Sequence, residues 1–599
     1  MTSEQRPAPF RMPERLFVEL AAGGGSAEAV AFLERGERAR RLLLLRTLLD
    51  RLDALPTPLS PAAEAWRVLK EAAQRAPGPV ERLLLAPATG GWIAHMLRRV
   101  HGTAAGPPVW AEAGHLGALA VSASLCAGTE AALRVPLTDG ELHLPGLGMV
   151  RLPDAEGGLV IGRARTSGGE LTLTGPVSGG GPVTLRLRPA TAPLRGRGAA
   201  APVAAAVGAG GAPTGQPLPA AGPDDSSCWL PLRTLTHHGP AGAVAIPLDD
   251  LDPYRDLDDP VAPARLDDAE AEAWQGLFDE AVAVLGVPGG NGPGRLDPAA
   301  IRAVVPWGRT SVLPPAPATV RMSASSGDSF GAMVIARPGS VLALAETLVH
   351  EFQHSKLASL LHLFPLLDDD RTERYYAPWR ADPRHLTGLL HGAYAFTGVA
   401  GFWRDRLTHA EHTEAAEQAG YHFALRRLQC RLVVRTLLTS GRLTVQGHAL
   451  VSGLAGTLDP WLREPVPPAA LTRARTAAVL HRTEWRLRNV APPDPAASPA
   501  PSDPGAPNVP RLRADRTPWP DLSTHAFATR PAAPRTADEH LAAGDPAAAL
   551  AQYAATLADA PSEPHALAGW IVARAALTPD RTSRRMLARP ESLQPLPGR

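Results

Sequence analysis

Two stretches with almost no patterned apolar side chains, Ala199 to Asp225 and Ala491 to Arg535, constrain the fold of these 599 residues more than any other feature. The first is built from alanine, glycine and proline, and the second opens on Pro492-Pro493-Asp494-Pro495. Neither can bury enough surface to offset the entropy lost on ordering it, so the first is expected to be disordered and the second a linker. Hydrophobic cores must therefore form on either side of them. With 56 glycines and 63 prolines, close to a fifth of the chain, loops and linkers should take a substantial share.

The hydrophobic period changes along the chain and suggests a multidomain α+β protein. From Glu14 to about Val100, apolar residues recur every three or four positions, so 1–125 is expected to be a helical N-terminal region. Between Glu141 and Pro189 the period is two, in short runs such as Glu141-Leu142-His143-Leu144 and Leu171-Thr172-Leu173-Thr174 separated by glycine-rich turns. Strands should resume near Cys228 and Ala243, making 126–260 an antiparallel β-rich region interrupted by 199–225. Helical periodicity then runs through 261–490, with one strand-like interruption at Phe330 to Ala336, and this mostly helical segment should hold the principal core. Beyond the 491–535 linker, Leu550, Tyr553, Ala554, Pro561 and Trp570 are spaced like a single tetratricopeptide repeat, a helical hairpin over 536–580.

Sixty basic residues against 59 acidic ones give a net charge of +1, which removes the global field that would draw the chain to nucleic acid or an anionic membrane. Only Lys70 and Lys356 are lysines. Cys126, Cys228 and Cys430 form no C-x-x-C pair and provide neither a disulfide framework nor a thiolate metal site. No apolar run reaches the length of a membrane span, and no signal peptide is visible, so a cytoplasmic location is expected.

The sharpest chemical signal is His350-Glu351-Phe352-Gln353-His354, an H-E-x-x-H motif. On a helix, residues four apart share a face, so both imidazoles can reach one metal ion with Glu351 beside it. Gly339-Ser340 offers a cap, and no proline interrupts the pattern before Pro365. A catalytic site needs a third ligand. Glu373, 19 residues beyond His354, has the spacing of glutamate-completed zinc peptidases; His391 would give a three-histidine site; His409 and His412 are further candidates. The metzincin pattern is absent, because Leu357 and Leu360 stand where its glycine and third histidine would be. Asp368-Asp369-Asp370 lacks the spacing of a calcium loop and reads as a solvated helix end.

The run from Ala345 to Leu363, the segment Tyr375 to Arg384 and His391-Gly392-Ala393-Tyr394-Ala395-Phe396 together resemble the H-E-x-x-H peptide β-hydroxylases associated with ribosomally synthesised peptide natural products. The resemblance covers roughly 250–490. It implies an iron(II)- and 2-oxoglutarate-dependent dioxygenase acting on a precursor peptide, in company with other enzymes of the same maturation pathway. In that reading His350, His354 and His391 hold iron, and Arg380 or Arg384 binds the distal carboxylate of 2-oxoglutarate, since a guanidinium matches a carboxylate in bidentate geometry. Tyr376 would line the same pocket, and Glu351 would contact substrate or support a ligand. Two alternatives remain open: a zinc metallopeptidase with Glu351 as general base and Glu373 as third ligand, and a non-catalytic scaffold that binds peptide.

Overall fold

The computed structural model describes residues 11–153, 155, 157–176, 183–187, 192–193, 228–239, 242–257, 259–286, 291–307, 323–492, 511–516 and 527–593. The low-complexity stretch Ala199–Asp225 and much of the 491–535 linker lie outside these residues. The fold is α+β, and it divides into two compact units that interleave along the chain. One comprises Val30–Gly289 and Leu296–Leu360; the other comprises Met1–Ala29, Gly290–Arg295 and Leu361–Arg599.

The first unit carries every named strand of the described residues and begins with helices. After α1 (Glu14–Ala21), which belongs to the other unit, come α2 (Ala27–Leu52), α3 (Ala62–Arg75), α4 (Pro77–Leu85), α5 (Pro87–Val100), α6 (Val109–Ala113) and α7 (His115–Ala127). A seven-stranded antiparallel sheet follows, built from β1 (Ala131–Thr138), β2 (Glu141–Leu144), β3 (Gly148–Arg151), β4 (Leu159–Ser167), β5 (Glu170–Gly175), β6 (Val183–Leu187) and, after β7 (Ala192–Pro193), β8 (Trp229–Pro231). Its order is β6-β5-β4-β1-β2-β3-β8. Strict alternation puts Ala131, Leu133, Val135 and Leu137 of β1 on the buried face, where they join Leu171, Leu173 and the α7 residues Leu119 and Val121. Burying each such leucine contributes about 1.5–3 kcal/mol.

The second sheet of this unit is mixed. It contains β9 (Arg233–Gly239), β10 (Gly242–Leu248), β11 (Ala303–Pro306), β12 (Ser323–Ala324) and β13 (Ala332–Ile335), in the order β12-β13-β11-β10-β9-β7. Helix α8 (Asp268–Leu285) packs on β9. β11 pairs in parallel with both β10 and β13, and every residue of β11 and β13 is buried, as expected of parallel strands covered on two faces. β13 leads into α9 (Val341–Leu363), the helix that carries the H-E-x-x-H motif.

The segment expected to be mostly helical from residue 261 onward opens with α8 and then contributes three strands, β11, β12 and β13, to the mixed sheet. Phe330 to Ala336 matches β13, but Ala303–Pro306 shows no period in only four residues, and β1 is obscured by Pro136.

The second unit is helical: α1 with α10 (Leu386–Thr408), α11 (Thr413–Leu438), α12 (Val445–Trp461), α13 (Pro468–Asn489), α14 (Ala537–Ala543), α15 (Pro546–Asp559), α16 (Pro564–Leu577) and α17 (Arg581–Ala588). α10 and α13 pack on α11, and α16 packs on α13. Thr536 and Glu539 form a reciprocal capping box at the start of α14, and Gly544 ends it in a left-handed conformation. The C-terminal helices share a core with Tyr421, Leu425 and Leu480 of α11 and α13, so they are docked rather than free-standing.

Candidate functional site

Helix α9 starts where the sequence suggests: the Ser340 hydroxyl accepts from the Ala343 amide at 3.3 Å, and the Ser340 carbonyl accepts from the Leu344 amide. The helix is buried on several sides, which explains its apolar run, yet it also buries Glu346, Glu351, Gln353, Ser355, Lys356 and Ser359. So many polar groups inside one helix cost stability unless they are engaged, and each marks a place where the interior does chemical or structural work. Burial pushes the Lys356 ammonium down to about 7.

His350 and His354 converge. Their Nε2 atoms lie 3.1 Å apart and their ring centroids 4.7 Å apart, with the ring planes nearly perpendicular. An ion held at roughly 2.0–2.1 Å from two nitrogens so spaced would subtend an angle of about 100°, between octahedral and tetrahedral values. This spacing suits chelation of one first-row metal ion. Glu351 supports the fit. It is 1% exposed, its Oε1 accepts from the Ser323 hydroxyl at 2.6 Å and lies 4.0 Å from His350 Nε2, and its buried Oε2 has no hydrogen-bond partner among the described residues. A buried carboxylate oxygen left unpaired is costly in a structural role and useful beside a metal-bound ligand. Nonetheless, among the described residues no group of three or more His, Cys, Asp or Glu side chains is arranged to hold a metal ion.

His391 sits in the first turns of α10, in the helical unit. Burial, reinforced by the charges of His385 and Arg384, pulls its pKa down to about 4, so at neutral pH its imidazole is uncharged, as a metal ligand must be. The neighbouring glycine is dictated by packing. A Cβ on Gly392 would come within 2.1 Å of the Trp379 ring, which also meets Phe396 at 4.9 Å. Asp369 fixes the start of the helix: its Oδ2 accepts from the Thr387 amide at 2.8 Å, the Thr387 hydroxyl at 2.7 Å and His385 Nδ1 at 2.9 Å. Burial works against the Asp369 charge, but these bonds prevail and lower its pKa to about 2. The aspartate run therefore acts as a helix tether at Asp369 instead of a solvated helix end.

The cofactor-binding candidates lie on a loop whose ends are bridged, Tyr375 to Arg384. Arg380 Nε donates to Asp382 Oδ1 at 2.8 Å with its side chain half exposed, and Arg384 reaches Asp382 Oδ2 at 3.3 Å. Arg384 also packs against Gly388, one turn before His391, which makes it the better placed of the two. The Tyr376 hydroxyl pairs with His481 Nδ1 at 2.8 Å, and its ring meets Trp485 at 5.1 Å, tying the loop to α13. Gln429 Nε2 and Asn489 Nδ2 hold the same loop through the carbonyls of Pro378 and Ala381.

The remaining candidates are plainer. Glu373 is exposed in coil, His412 is exposed at the start of α11, and His409 Nδ1 pairs with the Asp405 carbonyl of its own helix end. Ser323 escaped the sequence reading, because an edge-strand serine 28 residues before its partner carries no local signal. Compared with models of known protein families the chain matches none, and the comparison with curated proteins finds no match either.

Proposed function

We propose that the protein is an iron(II)- and 2-oxoglutarate-dependent oxygenase that hydroxylates a side-chain β carbon of a ribosomally made precursor peptide. The convergence of His350 and His354 Nε2 at 3.1 Å carries the metal part of this reading, and the resemblance of the 345–396 segments to peptide β-hydroxylases carries the choice of chemistry. The resemblance, rather than the geometry, is what names His391 as third ligand and Arg384 or Arg380 as the partner of the distal carboxylate; His391 is uncharged at neutral pH, as that role requires, and a guanidinium matches a carboxylate in a forked pair. Iron(II) with 2-oxoglutarate as two-electron donor and dioxygen as oxidant would, when bound, supply the chemistry for hydroxylating an unactivated C–H bond, with succinate and carbon dioxide as co-products. Glu351, fixed by Ser323, offers its second oxygen to a ligand on the metal or to the substrate backbone. Phe352 and Phe330, both buried with rings 6.1 Å apart, pack the helix against the end of the mixed sheet.

The unpaired Glu351 Oε2 favours a second reading, a zinc peptidase in which that oxygen takes a proton from the attacking water. Protein purified without oxygen and loaded with iron(II) decides between them. The oxygenase releases succinate from 2-oxoglutarate under air, slowly without peptide and faster with it. Zinc-loaded protein that cleaves peptides and yields no succinate after iron loading overturns the proposal.

A further inference from the structure

The exposed face of the seven-stranded sheet carries a cluster of arginines that the proposed chemistry does not use. Arg134 of β1 stands directly opposite Arg163 of β4, Arg165 follows two residues along β4, and Arg186 of β6 lies opposite Thr172, itself opposite Arg165. All four arginines are exposed. Directly opposed like charges destabilise an antiparallel pair, so the Arg134–Arg163 pairing works against the sheet. Charges on sheet edges commonly guard against strand addition, but β1 and β4 are central strands, where no such guard is needed. Nor are the charges neutralised locally: among the described residues Arg163, Arg165 and Arg186 make no ion pair, and the Arg134 guanidinium donates only to the Leu59 carbonyl. Among the described residues the nearest acidic side chains lie beyond the two ends of the cluster: Glu130 bonds Ser167 and Glu170 faces it at one end, and Glu141, opposite Thr138 of β1 and paired with Arg151, lies beyond the other.

From this arrangement we infer that the exposed sheet face docks an extended acidic peptide segment of a partner protein. Arg163 and Arg165 project from alternate positions, roughly 7 Å apart along the strand. Carboxylates at every second residue of an extended peptide have the same repeat, so each guanidinium can take one carboxylate in a bidentate pair. Exposed Ile161, 40% accessible and two residues before Arg163, offers an apolar contact to the intervening side chains. Nucleic acid fits less well: β1, β4, β5 and β6 contain no aromatic residue on which a base could stack.

The test uses the full chain and the fluorescence anisotropy of a labelled dodecapeptide of alternating glutamate and threonine. A lysine–threonine peptide, a single-stranded thymidine dodecamer and phosphatidylserine vesicles serve as comparison probes. The glutamate peptide is expected to bind in low salt and to weaken as salt rises, and Arg163→Glu with Arg165→Glu should weaken it by roughly tenfold or more. Arg51→Glu with Arg75→Glu, both exposed on helices, makes the same change in net charge and should alter binding less than about twofold. Circular dichroism melts establish that both doubles fold. Equal weakening by the two doubles, absence of binding to the glutamate peptide, or tighter sheet-dependent binding of the oligonucleotide or vesicles overturns the inference.

Discussion

The Ser323 hydroxyl donates to Glu351 Oε1 at 2.6 Å and thereby joins the edge of the mixed sheet to the glutamate of the H-E-x-x-H helix. Among the described residues it is the one hydrogen bond to a carboxylate that is sealed from solvent. Ser323→Ala removes it and leaves a buried carboxylate with neither oxygen satisfied. The expected cost is about 1–3 kcal/mol, read as a lower melting temperature, with a loss of turnover that exceeds the loss of substrate affinity. An unchanged kcat in Ser323→Ala would show that Glu351 needs no such orientation.

Metal content separates the ligand sets. His350→Ala and His354→Ala should each abolish stoichiometric metal by elemental analysis, because a single remaining imidazole is a weak chelator. His391→Ala is expected to lose metal while Glu373→Gln keeps it. The reverse pattern would assign the third position to Glu373 and favour the peptidase.

Gly392 and Trp379 make a steric prediction. Alanine ordinarily strengthens a helix relative to glycine by about 1 kcal/mol, but at 392 its methyl group would overlap the Trp379 ring. Gly392→Ala should therefore destabilise the protein by about 1–3 kcal/mol and displace the turn that bears His391. Pairing it with Trp379→Leu should restore part of the stability in a double-mutant cycle.

The core of the C-terminal helices has a charge lock with a pH signature. His565 Nδ1 pairs with Glu484 Oε2 at 2.8 Å and its Nε2 with Asp538 Oδ1 at 3.0 Å, while the Tyr553 hydroxyl donates to the same Asp538. Burial opposes charge on His565, but the two carboxylates outweigh it and raise the pKa from 6.5 to about 10. A raised folded-state pKa stabilises fully below the unfolded value and is lost as pH rises through the folded one. Protection of α14–α16 amides from hydrogen exchange should thus be greatest below about 6.5, decline with rising pH and lose this contribution above about 10. His565→Gln should flatten that dependence.

The sequence revealed the parts of the fold in which local pattern and burial agree. The alternation of Glu170–Gly175 becomes β5 with Leu171 and Leu173 inward, and the Ser340 cap opens α9. The mixed sheet was less legible. β11 owes its strand state to parallel partners on both sides, a tertiary cause that four residues, Ala303-Val304-Val305-Pro306, do not encode locally. In the candidate site, H-E-x-x-H announced its own two histidines, since i and i+4 fix their proximity. Ser323, the Asp382 partner of Arg380 and Arg384, and the Asp369 tether depend on which segments meet in space, and no spacing rule anticipates them.

The interleaving of the two compact units has a genetic consequence. Helix α1 belongs with the C-terminal half: Gly453 of α12 abuts Ala21, Thr457 bonds the Ala22 carbonyl at 2.9 Å, and Tyr394 bonds the Leu20 carbonyl at 2.9 Å. No single crossover between homologous genes can exchange the helical unit whole, because its first helix is encoded on the far side of the strand-bearing unit. Chimeras that replace residues after 360 but retain a foreign α1 would carry mismatched surfaces at α10 and α12. Inheritance should therefore keep the two ends of the gene together, whatever happens to the sequence between them.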